Sequence, residues 1–427
     1  MKLRIEKLIY GGAGLARHEG KAIFVPFTLP GELVEARITQ DHGSYASAEL
    51  EDILETSPHR IKPACPYFSE CGGCQYQHAS YPQQVEIKSQ ILRETLERAH
   101  LKEIPEIRTL HAEPFGYRNR IRLHIDRATS KLCYKRRASH QNLDVDVCPI
   151  AAPVLEEALI AIQPAAQTWQ LAKHFAEIEL FTNAAQDSIL ITLWTPGVVQ
   201  SATQALGSLW PQLRVHIPKL RGAAIFSSEQ GKQPSRLIAQ SGEQSLTYAA
   251  ASREYRVSFG SFFQVNRFLT DALVELVTKD SSGKLAWDLY AGAGLFAAAL
   301  ASRFDQIVAV ESASSSVRDL RHNLHGAPHH IVASGTLEFL RRARAGKENA
   351  PDFVVVDPPR SGLGKEVTTL LAAIRPAHIT YVSCDPATLS RDLKSLLDSG
   401  YHLSTVRMVD LFPQTFHLES VATLSLK

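Results

Sequence analysis

The stretch Trp287-Asp288-Leu289-Tyr290-Ala291-Gly292-Ala293-Gly294-Leu295-Phe296 decides how the rest of the chain reads. An apolar strand over 285–290 runs into a loop with two glycines, and an apolar helix over 295–302 follows. Glycines at 292 and 294 let backbone N–H groups come close to a ligand. About twenty residues on, Glu311 ends the next apolar strand (306–311), where a carboxylate can accept both hydroxyls of a ribose. Gly292, Gly294 and Glu311 together predict a nucleoside-cofactor site. The plainer reading is a tight strand-to-helix turn, and a nicotinamide dinucleotide fits this much equally well.

From about Phe262 onward the same rhythm continues, with strands at 353–357 and 379–383 and helices at 314–324, 366–374 and 388–399. Such alternation predicts an α/β domain, a mostly parallel sheet with helices on both faces and a ligand outside the carboxyl ends of the strands. Two more strand ends point there: Val356-Asp357-Pro358-Pro359-Arg360 and Tyr381-Val382-Ser383-Cys384-Asp385-Pro386. A cysteine in such a place is a small core hydrophobe or a nucleophile. The strand-breaking Asp385-Pro386 and the cofactor loop upstream favour the nucleophile. Near the end, Glu419 stands just ahead of a final apolar strand (421–426), where burial raises a carboxyl pKa toward the range useful for proton transfer.

At 427 residues the chain exceeds one compact core, and 44% hydrophobic with 21% charged residues is a globular composition. A formal charge of +2 decides nothing about partners. No apolar run approaches the roughly 20 residues of a membrane span, and Lys2, Arg4, Glu6 and Lys7 replace a signal-peptide core, so a cytoplasmic protein without membrane contact is expected. Residues 1–54 read as short strands between glycine turns, the pattern of a small β-barrel. Pro58 and Pro63 then interrupt any ladder. Cys65, Cys71 and Cys74 precede a helix over 82–100, and sparse clustered cysteines in a reducing compartment point to metal or catalysis. Between Gly116 and Ala138 eight Lys and Arg face a single Asp126, with Tyr117, His124 and Tyr134 interleaved. This stretch predicts a strand with a cationic face, read either as a solvated surface or as an RNA contact. Cys133 is expected to pack within that sheet.

Taken in order, Phe263-Gln264-Val265-Asn266, the Asp288-Leu289-Tyr290 glycine loop, Asp357-Pro358-Pro359-Arg360, Ser383-Cys384-Asp385-Pro386 and His417-Leu418-Glu419 resemble the RNA 5-methyluridine methyltransferase family. The likeness covers nearly the whole chain and is closest to the 23S ribosomal RNA enzymes, with transfer RNA enzymes as the alternative. It implies a Rossmann-like S-adenosylmethionine methyltransferase domain at 259–427, an OB-like TRAM barrel at 1–56, and between them a central α+β domain at 57–258. That central part would bind RNA and carry a [4Fe-4S] cluster on Cys65, Cys71, Cys74 and Cys148. The helix over 82–100 would dock on the catalytic domain. Cys384 would add to uracil C6, Glu419 would remove the C5 proton, and Gln264, Tyr290, Gly292, Gly294, Glu311 and Asp357 would contact S-adenosylmethionine. A monomer suffices for all of this.

Departures from the family pattern are local. Ala291 and Leu295 leave the glycine loop without side-chain donors, and Ala333-Ser334-Gly335-Thr336 lacks the acidic residue expected to face adenine. For the cysteines the alternative is four-thiolate zinc, although C-x5-C-x2-C with a distant fourth cysteine departs from paired zinc loops. Two other functions stay open. A purine N-methyltransferase would need no cysteine, and an RNA-binding factor that keeps the fold without catalysis would tolerate loss of Cys384.

Overall fold

Eight strands build the sheet that carries the glycine loop, in the order His329–Ala333, Phe304–Glu311, Gly283–Leu289, Phe353–Val356, His378–Ser383, Glu419–Leu426, Tyr401–Val409 and Ile107–Leu110. The structure, a computed structural model, describes residues 1–197, 199–228, 235–346 and 350–426. The first five strands run parallel. Glu419–Leu426 is antiparallel to both its neighbours. Phe353-Val354-Val355-Val356 is apolar on both sides because helices cover both faces: Val354 and Val356 enter one core, Phe353 and Val355 the other. The chain leaves Gly283–Leu289 toward one edge and returns at Phe353–Val356 on the other side. A crevice therefore opens beyond the carboxyl ends of these two strands.

Two elements of this domain come from far upstream. The helix Tyr81–Arg98 begins at Pro82, whose missing N–H costs nothing in a first turn. It buries Val85, Ile91, Leu92 and Leu96 in the same core as Leu389, Leu393 and Leu396 of the helix Pro386–Asp398. Ile107–Leu110 then adds the outermost strand, parallel to Tyr401–Val409.

The middle of the chain forms a seven-stranded sheet of Asn142–Asp144, Leu132–Lys135, Arg120–Ile125, Glu177–Thr182, Ile189–Thr195, Leu220–Ser227 and Leu237–Gly242. Its basic strand Arg120–Ile125 has the apolar and basic faces read in the sequence, but much of the charge on the basic face is paired. The antiparallel neighbour places Glu179 beside Arg122 and Glu177 beside His124 in register. Arg120 pairs with Glu179 and lies over Phe181, and Arg122 pairs with Glu177 and stacks on Trp194 at 3.7 Å. Lys131 meets Asp144 and Arg136 meets Glu70. Much of the positive charge is thus neutralised by carboxylates that pairing brings in from elsewhere. Cys133 is fully buried, its thiol donating to the His124 carbonyl at 3.4 Å.

The N-terminal six strands form a curled sheet whose outer members, Lys2–Arg4 and Lys7–Leu8, are consecutive in the chain. Its junction with the following segment is ionic and buried. Glu32 accepts from Arg60 at 2.6 and 2.7 Å and from the N–H groups of Leu29 and Ser57. Burial pushes the Glu32 carboxyl up, but these donors more than offset it and hold it below its usual range. Arg60→Ala leaves that carboxylate buried without its cation and is expected to destabilise the protein by about 3 kcal/mol. Denaturant unfolding measures this, and a change below about 1 kcal/mol would show that Glu32 repacks. Among the described residues, no helix is long and apolar enough to cross a membrane.

Candidate active site and cysteine cavity

Strand register explains why residues scattered over 130 positions converge. Leu289 pairs with Val356, so Tyr290 and Asp357 follow side by side as the two strands end. Ser383 pairs with Ser420 in antiparallel sense, so the next pair outward is Cys384 and Glu419. At Cys384 the strand stops because the Asp385 carboxylate accepts from the Thr388 N–H at 2.8 Å, capping a helix that opens on Pro386. The Tyr10 hydroxyl, reaching over from the N-terminal sheet, donates to the Cys384 carbonyl at 3.4 Å.

These groups perturb one another. Burial, then the charges of Glu419 and Asp357, push the Cys384 thiol up to about 11, while Arg360 pulls it down. Burial and Asp357 raise Glu419 well above a normal carboxyl, again opposed by Arg360. Asp357 is raised by burial to about 7. At neutral pH the site therefore holds a protonated thiol and carboxyls poised to take or give protons. His417, beside Arg360 at 3.4 Å, is depressed to about 4 by burial first and then by Arg360, Arg118 and Lys88, so it is neutral.

The neighbouring crevice is lined by carboxylates. Asp288 accepts from the Ala297 N–H at 2.8 Å through one oxygen, and its other oxygen is buried without a partner among the described residues. Burial, with repulsion from Asp357 and Glu311, drives Asp288 up to about 8. Glu311 accepts from the Gly292 N–H at 2.9 Å and from the N–H groups of Ser312 and Ala313 at 2.7 Å. Gly292 and Gly294 have φ of 56° and 91°, and a Cβ at Gly294 would come within 2.7 Å of Leu320. Tyr290 is also at positive φ. The Gln264 amide donates to Asp357 at 3.4 Å. Three acids crowded around a glycine loop suit a cationic ligand.

Cys65, Cys71, Cys74 and Cys148 line a separate cavity of about 420 Å³ together with Arg118 and Tyr134. The Tyr134 hydroxyl donates to the Cys148 sulfur at 3.7 Å. Among the described residues, no three His, Cys, Asp or Glu side chains are disposed to share one metal ion.

Sequence reading passed over Arg360, Tyr10 and Phe262. Arg360 stood within a quoted strand end, so its proximity to Cys384 was the missing piece. Phe262, 59% exposed beside Gly292, is an apolar side chain left at the mouth of the site. Tyr10 carries no local signal, because only docking of the N-terminal sheet brings it here.

Residues 80–333 and 333–427 match the family described as tRNA (Uracil-5-)-methyltransferase, and residues 1–50 match the TRAM domain. The chain is 34% identical over 434 residues to an uncharacterized RNA methyltransferase of Aquifex aeolicus, covering all of this chain and 99% of that one. It is 31% identical over 431 residues to the 23S rRNA (uracil(1939)-C(5))-methyltransferase RlmD of Pectobacterium carotovorum, covering 96% and 90%. The fold is similar to that of the tRNA (uracil-54, C5)-methyltransferase of Pyrococcus abyssi, with a TM-score of 0.79 at 23% identity over 99% of this chain and 100% of that one. With the family matched across the catalytic sheet and the N-terminal sheet matched by its own domain, the chain belongs to the RNA uracil-C5 methyltransferase family and carries a TRAM domain.

Proposed function

We propose that this protein methylates C5 of a uridine in 23S ribosomal RNA, with Cys384 as nucleophile and Glu419 as base. The observation that carries the reading is the register that sets Cys384 opposite Glu419 beside the acid-lined glycine loop. Near-full-length relatives named as 23S rRNA enzymes, from Pectobacterium and Shewanella, favour that RNA over tRNA.

S-adenosylmethionine fits the crevice, since Glu311, held by the Gly292 N–H, can accept its ribose hydroxyls and Asp357 lies by the reacting centre, and when bound it supplies an electrophilic methyl. Uracil C5 is a weak nucleophile. Cys384 therefore loses its proton to solvent water and its sulfur bonds to C6, pushing electrons toward the O4 enolate so that C5 can accept the methyl, with S-adenosylhomocysteine as the leaving group. Glu419 then takes the C5 proton, and the electrons left at C5 expel the Cys384 thiolate as the C5–C6 double bond re-forms. A stacked base hides C6, so the target uridine must be flipped out, and exposed Phe262 offers it an aromatic face.

The cysteine cavity suits a [4Fe-4S] cluster better than zinc. The C-x5-C-x2-C spacing with a distant Cys148 departs from the paired short loops usual for zinc, and a cavity of about 420 Å³ leaves room for a cluster. Cys65, Cys71, Cys74 and Cys148 would hold such a cluster, which would cross-link the chain segments that carry them, and Arg118 in the cavity wall would offset its negative charge. Arg137, over the Phe27 ring at 5.1 Å, supplies an RNA-facing cation at the edge of the TRAM sheet. The enzyme acts in the cytoplasm as a monomer.

The test is incubation with labelled S-adenosylmethionine and unmodified 23S rRNA or tRNA transcripts, followed by nucleoside analysis. Labelled 5-methyluridine in 23S rRNA is expected; label in tRNA alone would reassign the substrate, and labelled purine would overturn the mechanism.

Cys384 gives this mechanism a pH signature. The reactive thiolate falls tenfold per pH unit below the Cys384 pKa, so adduct formation with 5-fluorouridine RNA should rise with pH from 6 to 9. Arg360→Gln removes the charge that lowers that pKa. The variant should be about tenfold slower throughout pH 6 to 9, and its Cys384 should be alkylated about tenfold more slowly by iodoacetamide in the absence of RNA. Wild-type alkylation with slow adduct formation would assign Arg360 to RNA binding instead.

A further inference from the structure

The segment 410–417 leads directly into Glu419, and four consecutive carbonyls in it are captured by four separate parts of the chain. Asn266, beside the cofactor loop, donates to Leu411 O at 3.0 Å. Lys88 of the long helix donates to Phe412 O at 3.0 Å and to the Asp410 carboxylate at 2.6 Å, both charges being fully buried. Tyr117 donates to Pro413 O at 3.1 Å. The backbone N–H groups of Gln75 and Tyr76, which immediately follow Cys74, both donate to Gln414 O at 2.9 Å.

The last of these contacts is reinforced on both sides. Gln75 is a two-headed link: its amide nitrogen donates to Gly72 O within the cysteine loop at 2.9 Å, and its amide oxygen accepts from the Phe416 N–H at 3.2 Å. Gln414 is buried and sits at φ 70°, a conformation that a residue with a Cβ adopts only when its surroundings hold it. Gln84 holds it by a reciprocal pair of bonds, donating to the Gln414 side-chain oxygen and accepting from its N–H, both at 3.0 Å. Phe416 is further pressed by the edge of the Tyr10 ring. A shift of the cysteine loop would therefore pull on Gln414 and Phe416, a few residues ahead of Glu419.

We propose that Gln75 and Gln414 are positioning residues that couple the seating of the cysteine loop to the placement of Glu419, and so act on removal of the C5 proton. This rests on the uracil-C5 reading above. A cluster in the cysteine cavity then serves catalysis mechanically, by fixing the loop from which Gln75 reaches the catalytic segment.

The coupling acts on one step and is read by splitting the reaction. 5-Fluorouridine RNA tests addition and methyl transfer alone, because fluorine cannot leave C5 as a proton does and the adduct forms whatever the base. Uridine RNA tests the whole cycle. In the iron-replete protein, Gln75→Ala should form the fluorouridine adduct within about twofold of wild type, while kcat on uridine RNA falls about tenfold at unchanged KM. A covalent RNA–protein adduct should then accumulate on uridine RNA, as it does not in wild type. Gln414→Gly, which keeps the positive φ without a Cβ but loses the Gln84 side-chain bond, should show the same split. Equal losses in both assays, or wild-type kcat in both variants, would overturn the coupling. Failure of wild type itself to form the fluorouridine adduct would instead overturn the uracil reading, and this inference with it.

Discussion

Cys384→Ala is expected to lower methyl transfer to RNA by at least about 10⁴-fold, the scale of loss when a covalent nucleophile is deleted. No residue of the described site replaces it, because Asp357, Glu419 and His417 offer carboxyls and an imidazole but no second thiol. Cofactor affinity should change little. Glu311 is held by the Gly292 N–H and Asp288 by the Ala297 N–H, on neighbouring strands and without contact to the thiol. Quantified 5-methyluridine and equilibrium binding of S-adenosylhomocysteine make the comparison. Methylation surviving at more than one part in a hundred would place the nucleophile elsewhere. Loss of cofactor binding would show a broken fold.

Glu419→Gln should fail differently, by trapping the reaction midway. Glutamine keeps the shape and the burial but cannot take a proton. Sulfur addition and methyl transfer still proceed, elimination does not, and turnover falls by about 10²–10⁴-fold. A denaturation-resistant RNA–protein band on ordinary uridine RNA, already carrying the methyl, is the expected result. Removing the Glu419 charge also removes one of the influences that raise Cys384, so the trapped species should form at lower pH than the wild-type fluorouridine adduct. Absence of the band, with turnover reduced, would assign proton removal to another group, of which Asp357 is nearest in chemistry.

Much of the catalytic half was legible because its signals are local. Strand, glycine turn and helix alternate along the chain, and a short, β-branched apolar run such as Phe353–Val356 followed by Asp357-Pro358-Pro359 reads as a strand covered on both faces. The glycines at 292 and 294 marked the cofactor loop and Asp385-Pro386 marked a strand end, and the structure adds the positive φ of the glycines and the Asp385 cap. The family likeness rested on such short motifs in order. By contrast, the long helix Val199–His216 of the central part was not anticipated, because Pro211 interrupts its pattern. The outermost strand Ile107–Leu110 is four residues long and pairs with a partner nearly 300 positions later.

Charge was the poorest guide. The run from Arg118 to Arg137 reads as cationic in sequence, yet pairing with Glu177, Glu179, Asp144 and Glu70 neutralises much of it. Those partners lie up to 66 residues away, and only the folding of strands and loops together makes them neighbours. The same physics governs the active site. Sequence by itself determined which chemical groups exist and which strand ends carry them, because secondary structure follows from periodicity and turn chemistry over a few residues. Tertiary structure alone decided that Ser383 pairs with Ser420, that Arg360 stands by the thiol, and that Tyr10 and Gln75 brace the wall beside it. Proton affinity and hydrogen bonding depend on distances of a few ångströms between residues remote in the chain, and those distances are set by packing.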